Sequence, residues 1–194
     1  RRYIQELLAY QIEGMIILSH TIFPELAQLP IPIVTIERED QFVSSINTDN
    51  YMGGYQAASL LAKHDCDILI HINSPTDPKI PSYGRIQGFK DCCREQDLET
   101  NFFFREFGHS YESVQPLLRE ILDKLDETYA GQKKGVFVSN DTLANTFLNL
   151  LFRKHGCLPA DYLLVGLIFA GFQEAVVPIS TVGQQIDKLA YEAV

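Results

Sequence analysis

The sequence predicts an α/β fold with parallel sheets, and two patterns lead to this prediction. Apolar segments of strand length alternate with helical patterns along the whole chain. Such alternation is typical of parallel strands that are joined by crossover helices. Several strand segments are apolar at nearly every position, as in "DILIHI" and "GVFVS". Continuous apolar character indicates strands that are covered on both faces.

The elements of the first third follow from spacing and capping. The helical spacing of Ile4, Leu7, Leu8 and Ile12 predicts a helix over residues 3–11. The segments that follow predict, in order, a buried strand at 14–18, a short helix near 22–28, strands at 31–36 and 43–47, a helix at 50–63 with Asp49 as its N-cap, and a strand at 67–72.

The rest of the chain continues the alternation. Residues 111–128 form the clearest amphipathic pattern, with apolar side chains from Val114 to Leu125 on one face. The full set of predicted elements is a helix from the cap residue Ser82 to about 95, a strand at 101–107, the helix at 111–128, a strand in "GVFVS" at 135–139, a helix reaching about 155, a strand at 162–169 and a helix at 186–194.

Composition limits the class of protein. The chain has 194 residues, which suggests one or two domains, and no apolar run reaches the length of about 18 residues that a membrane span needs. Its net charge of −9 argues against binding nucleic acid without a separate basic segment. The four cysteines contain no CxxC spacing and indicate reduced thiols in a cytoplasmic protein.

Motifs for catalysis, cofactors and metals are missing from the sequence. It has no GxGxxG, no phosphate-binding P-loop and no GxSxG elbow, and its five histidines lack the HxxxH and HExxH spacings. We therefore expect no enzyme activity, no cofactor and no metal. An enzyme stays open as an alternative, because a catalytic group can be assembled from residues distant in sequence.

Polar residues at the ends of strands are the candidate ligand contacts, because ligands bind at the carboxyl ends of parallel strands. Arg85 in "SYGRIQGF" is either a solvated surface arginine or a guanidinium aimed at a ligand. Asn140 and Asp141 follow "GVFVS" directly, and either can cap the next helix. We expect Asp141 to be the cap and Asn140 to contact the ligand.

A resemblance to a known family emerges from seven segments in order. The segments are "IEGMIIL" (12–18), "IPIVTIER" (31–38), "INTDNYMGGYQAASLL" (46–61), "RIQGF" (85–89), "GVFVSNDTLA" (135–144), "LPADYLLVG" (158–166) and "STVGQQID" (180–187). Together they resemble the effector-binding domain of the LacI/GalR (lactose-repressor) transcriptional regulators. The resemblance covers nearly the whole chain.

This resemblance implies two Rossmann-like lobes of the kind seen in periplasmic binding proteins. We expect the first lobe to contain residues 1–46 and 184–194 and the second to contain residues 47–183. The family domain begins with a strand, a helix and a second strand before the helix at 3–11, so we expect residues to precede Arg1. The DNA-binding helix-turn-helix of the family is absent from this chain.

The resemblance also implies a set of effector contacts. Arg85, Asn140 and Glu37 match family positions. Asp141 lies beside Asn140, and Gln184 lies at the second crossover between the lobes. Ser19 and Tyr111 rest on topology alone. One segment departs from the family pattern "VGFD". The chain has "VGLIFAGF" at 165–172 and lacks the acidic residue that often contacts the effector.

The implied function is that of a bacterial transcriptional regulator, a repressor, that senses a small polar effector, a sugar, between two lobes. The regulator would act as a homodimer on operator DNA through its helix-turn-helix. Tyr3, Leu7 and Tyr10 in the first helix, and the segment "TIFPELAQLP", are candidate dimer contacts, although a core would explain them equally well. The alternative is a periplasmic sugar receptor of a transport system, which has the same fold and would begin with a signal peptide.

Overall fold

A computed structural model describes residues 2–18, 23–39, 42–108, 110–168 and 180–194. The strands within these ranges are β1 (Met15–Ile17), β2 (Ile33–Ile36), β3 (Ser44–Ile46), β4 (Ile68–Asn73), β5 (Thr100–Phe104), β6 (Lys134–Val138), β7 (Tyr162–Ile168) and β8 (Ser180–Gly183). The helices are α1 (Arg2–Ala9), α2 (Asn50–Ala62), α3 (Tyr83–Glu95), α4 (Tyr111–Thr128), α5 (Asp141–His155) and α6 (Ile186–Glu192), with a 3₁₀ turn at Pro24–Gln28.

The chain divides into two compact units. The smaller unit comprises Arg1–Thr48, Pro78–Pro81 and Gln185–Val194. The larger unit comprises Asp49–Asp77 and Ser82–Gln184. The lobe boundaries expected at 46/47 and 183/184 stay predictions about the family-type lobes.

The smaller unit contains a three-stranded sheet in the order β1-β2-β3, and both pairs of strands are parallel. The strand predicted at 14–18 forms as β1, but its expected burial is wrong. Ile16 is 45% exposed and Leu18 is 73% exposed. Strand β1 pairs with β2 alone among the described strands, so part of its apolar surface faces solvent in this chain.

The larger unit contains a five-stranded parallel sheet in the order β5-β4-β6-β7-β8. Every residue of β4 and β6 is buried. One apolar cluster packs with α4 and α5 and includes Leu118, Ile121 and Phe147. A second cluster packs with α2 and α3 and includes Leu61 and Phe89. These two layers explain why the central strands are apolar throughout, and the predicted α/β class is confirmed.

Most predicted elements form, two of them differ in type or length, and one strand was not predicted. The predicted short helix at 22–28 is a 3₁₀ turn. The strand predicted at 101–107 ends at Phe104. Strand β8 was not predicted, because "STVG" is short and only partly apolar. Pairing with β7 makes it a strand, and this pairing is a tertiary contact that local sequence does not contain.

Helices α2 and α3 approach each other unusually closely, through glycine. A Cβ atom on Gly54 would lie 2.0 Å from the carbonyl oxygen of Arg85, and one on Gly88 would lie 1.9 Å from that of Tyr51. Only glycine permits backbone contact at these distances. The crossing therefore fixes the position of the α3 backbone at Arg85 relative to the beginning of α2.

Candidate functional site

The carboxyl ends of the two central strands lie side by side in the larger unit. Strand β4 ends at Asn73, and β6 is followed by Ser139. The Ser139 amide donates to the carbonyl of Ile72 over 3.1 Å, which continues the pairing one residue beyond β6. Ser139 and Asn73 are only 3% and 6% exposed. This edge is where α/β sheets bind ligands.

Arg85 reaches this edge from the first turn of α3. Its Nε donates to the Oδ1 atom of Asn50 over 2.6 Å, and its Nη1 donates to the Ser139 carbonyl over 2.9 Å. A cation in the first turn opposes the helix dipole, and these two hydrogen bonds offset that cost. The alternative of a solvated surface arginine is wrong, since the side chain is half-buried and held by two partners.

Asn140 caps α5, which corrects the expected division of roles between Asn140 and Asp141. Asn140 has an extended backbone, and its Oδ1 accepts a hydrogen bond from the amide of Leu143 over 3.0 Å. The residue before the first helical residue takes the cap, because only there does the backbone turn the side chain toward the exposed amides. The cap uses the amide oxygen of Asn140, and its amide nitrogen remains a donor group at the same edge.

Asp141 is the first residue of α5 and is half-buried. A Cβ atom on Gly166 of β7 would lie 3.5 Å from its Oδ1 atom. Asp141 thus lies beside the end of β7, where the chain lacks the acidic residue of the family pattern. The structure brings Arg85, Asn140 and Asp141 to one edge of one sheet.

Glu37 belongs to the smaller unit and has a local structural contact. Its backbone adopts the left-handed region, with φ of 57°. Its Oε1 accepts a hydrogen bond from the amide of Thr48 over 2.6 Å. The carboxylate therefore fixes the segment that follows β3.

The other candidate residues are less closely tied to this edge. Gln184 follows β8, and its buried Oε1 has no hydrogen-bond partner among the described residues. Tyr111 begins α4 after β5 and is 44% exposed. Ser19 lies outside the described residues.

A buried histidine lies beneath Arg85. His71 of β4 stacks on Phe137 with ring centroids 4.5 Å apart and on Phe89 at 5.2 Å. Its pKa is lowered to about 3, mainly by burial and in part by the positive charge of Arg85, although the hydrogen bond that the ring donates to the Phe137 carbonyl acts in the opposite direction. His71 is therefore neutral at physiological pH.

Three of the four cysteines are protonated thiols and not activated nucleophiles. All four are free thiols. Burial raises the pKa of Cys93 to about 12 and also raises the pKa values of Cys66 and Cys92, so these thiols are protonated at neutral pH.

Asn50 is a contact of Arg85 that the sequence reasoning missed. It is 3% exposed and is the acceptor for the Nε of Arg85. Asp49 next to it caps α2 as predicted, accepting from the amide of Met52 over 2.9 Å. One available signal was the pair of polar residues at this helix start, of which a cap explains only one.

Two curated relatives resemble the chain in sequence. The sucrose operon repressor of Streptococcus mutans is 25% identical over 194 residues, which is 98% of this chain and 58% of that protein. The sucrose operon repressor of Pediococcus pentosaceus is 26% identical over 168 residues, which is 86% of this chain and 50% of that protein. The chain thus spans little more than half the length of the relatives it matches. No protein-family model matches it.

A solved structure matches the fold. It is a periplasmic binding protein/LacI transcriptional regulator from Alkaliphilus metalliredigens in complex with D-xylulofuranose, at a TM-score of 0.80 and 24% identity. The match covers 99% of this chain and 70% of that chain. The chain has the fold of this solved structure, and its sequence is similar to those of the two repressors. The two-sheet α/β fold expected from the seven segments is confirmed. No helix in the described ranges has the length and apolar character of a membrane span.

Proposed function

We propose that the chain is the effector-binding and dimerisation domain of a sugar-sensing bacterial transcriptional regulator. The observation that carries this proposal is Arg85, which Asn50 and Ser139 hold at the carboxyl edge of the larger sheet. An arginine fixed in this way presents a planar donor group without paying the full entropy of ordering a long side chain. Both curated relatives are operon repressors, which supports a regulator over the periplasmic receptor and over an enzyme.

The residues at this edge suit a ligand rich in hydroxyl groups. The guanidinium of Arg85 donates only, the amide of Asn140 can donate and accept, and the carboxyl oxygens of Asp141 can accept. Each hydroxyl group of a sugar can both donate and accept a hydrogen bond, so a site that contains donors and acceptors matches it. Sucrose is the first candidate, because the relatives are repressors of a sucrose operon. Glu37, Gln184, Tyr111 and Ser19 are the proposed contacts beyond this edge.

The proposed output is control of DNA binding in a cytoplasmic homodimer. The net charge of −9 supports a division of labour in which a helix-turn-helix outside this chain contacts the operator. Tyr3 and Leu7 of the first helix are 71% and 42% exposed, and Tyr10, directly after this helix, is 82% exposed. These exposed apolar side chains support the proposed dimer contact there. The effector would act by binding one conformation of the dimer more tightly than the other.

The test is a thermal titration of the chain with sucrose and a panel of neutral sugars and sugar phosphates. A bound sugar present at 100 times its Kd should stabilise the chain by about 2.7 kcal/mol. Arg85→Ala should abolish the shift in melting temperature. Arg94→Ala is the matched control, because Arg94 lies on the same helix with 69% of its side chain exposed. It should shift with sugar as the unmodified chain does.

Two outcomes would contradict the proposal. Absence of a shift with every sugar in the panel argues against a sugar sensor, and an equal shift in Arg85→Ala removes Arg85 from the site. Recovery of the bound sugar in a chemically altered form after incubation would favour the enzyme alternative instead.

A further inference from the structure

We infer that Asn50 is the positioning residue for Arg85 and that effector affinity depends on it. This inference rests on the proposed function for its consequence in binding, whereas the positioning itself is a property of the free chain. Asn50 lies in the first turn of α2, and its Oδ1 is 2.6 Å from the Nε atom of Arg85. A bond this short to a charged donor is stronger than one between neutral groups.

The N-cap of α2 is Asp49, the residue before Asn50. Asp49 accepts the hydrogen bond from the amide of Met52. A buried asparagine at the next position needs a partner, because an unpaired buried amide is costly. Its burial, with 3% of the residue exposed, is explained by the contact with α3.

Both partners in this contact stand on rigid backbone. The carbonyl oxygen of Arg85 lies 2.0 Å from the position of a Cβ on Gly54. The carbonyl oxygen of Tyr51, the neighbour of Asn50, lies 1.9 Å from the position of a Cβ on Gly88. The two helices cannot slide past one another without separating. The distance from Asn50 to Arg85 is therefore set by the crossing.

Asn50 and Ser139 hold Arg85 at two different nitrogens. The hydrogen bond to Asn50 holds the Nε atom, which joins the guanidinium to the rest of the side chain. The hydrogen bond to the Ser139 carbonyl holds Nη1, one of the two terminal nitrogens. Two bonds at different nitrogens define the plane of the group more narrowly than either bond does by itself. Loss of Asn50 should leave Arg85 present but poorly oriented.

The first experiment needs no ligand. In the full chain labelled with ¹⁵N-arginine, the Nε–Hε resonance of Arg85 is assigned by its loss in Arg85→Lys. Asn50→Ala should speed the exchange of this Hε with water by about tenfold, the equivalent of 1.4 kcal/mol. Asn50→Asp keeps an acceptor oxygen at the same place and should remain within about threefold of the original rate.

The matched control is Tyr51→Phe. It removes another hydrogen bond between the two helices, from the Tyr51 hydroxyl to Asp91 over 3.1 Å, and leaves Asn50 intact. Its Arg85 exchange rate should be unchanged. An unchanged rate in Asn50→Ala, or equal acceleration in Tyr51→Phe, would overturn the positioning role.

The second experiment titrates sucrose against the same variants by calorimetry. Asn50→Ala should weaken binding by about tenfold, with Asn50→Asp and Tyr51→Phe within about threefold of the unmodified chain. Undiminished sucrose binding in Asn50→Ala would overturn the consequence for affinity. If the unmodified chain does not bind sucrose, sucrose is lost as the effector, and the exchange rates still decide whether Asn50 positions Arg85.

Discussion

Helices α2 and α5 begin with the same two residue types in opposite order. The chain has Asp49-Asn50 before and in α2, and Asn140-Asp141 before and in α5. In both helices the first residue of the pair is the cap, a carboxylate in one case and an amide in the other. Position relative to the first helical residue therefore decides which side chain caps.

The second residue of each pair contacts a neighbouring element of the fold. Asn50 is directed to α3, where it holds Arg85. Asp141 is directed to the end of β7, beside Gly166. The same local pattern thus supplies one residue that completes the helix and one that serves the site, and the neighbouring elements decide what the second one contacts.

The largest expected loss of stability comes from a substitution at the crossing of α2 with α3. Gly88→Ala would place a Cβ 1.9 Å from the carbonyl oxygen of Tyr51, so α2 and α3 must separate. We expect a loss of about 3 kcal/mol in the free energy of unfolding, measured by urea denaturation. Gly183→Ala is the control, since nothing lies within 4 Å of its Cβ, and its effect should stay within about 0.5 kcal/mol. Equal losses in the two variants would contradict the close contact.

The pH dependence of stability reports on the same side of the sheet, because His71 packs against Phe89 of α3. In the unfolded chain the histidine pKa is 6.5, and in the folded chain it is about 3. Above pH 6.5 both states are neutral at this residue and no stability is lost. Below pH 6.5 the unfolded state binds a proton that the folded state does not, so stability falls as the pH decreases toward 3.

At pH 5 this contribution to the loss is about 2 kcal/mol. Urea denaturation at pH 7.5 and at pH 5 should show this additional loss in the unmodified chain compared with His71→Leu, whose stability should depend less on pH. The same dependence in both proteins would mean that other groups control the acid response.

The smallest expected loss of stability comes from removing the N-cap of α5. Asn140→Ala removes the cap and should lower the free energy of unfolding by about 1 kcal/mol. Asn140→Ser restores a capping oxygen and should recover most of that loss. Asp49→Ala should have an effect of similar size at α2, since its side chain has the same role. Full stability in Asn140→Ala would show that the cap bond to Leu143 does not contribute.

The sequence predicted more of the fold than of the site. Periodicity located the amphipathic helix at 111–128 to the residue, because one face of a helix repeats a local pattern. The polar residues after an apolar strand pointed to Asn140, and the family resemblance pointed to Arg85. The cap role of Asn140 was missed, because composition alone does not distinguish Asn from Asp at a helix start. Asn50 was missed because its partner is 35 residues away in sequence.

The sequence by itself determined the parallel α/β class, the order of the elements and the family resemblance, because alternation, apolar runs and capping residues are local. The tertiary structure alone decided that β8 is a strand, that β1 is partly exposed and that Arg85 is held at two nitrogens. Each of these depends on contacts between distant segments: the pairing of β8 with β7, the neighbours of β1 in its sheet, and the glycine crossing of α2 with α3.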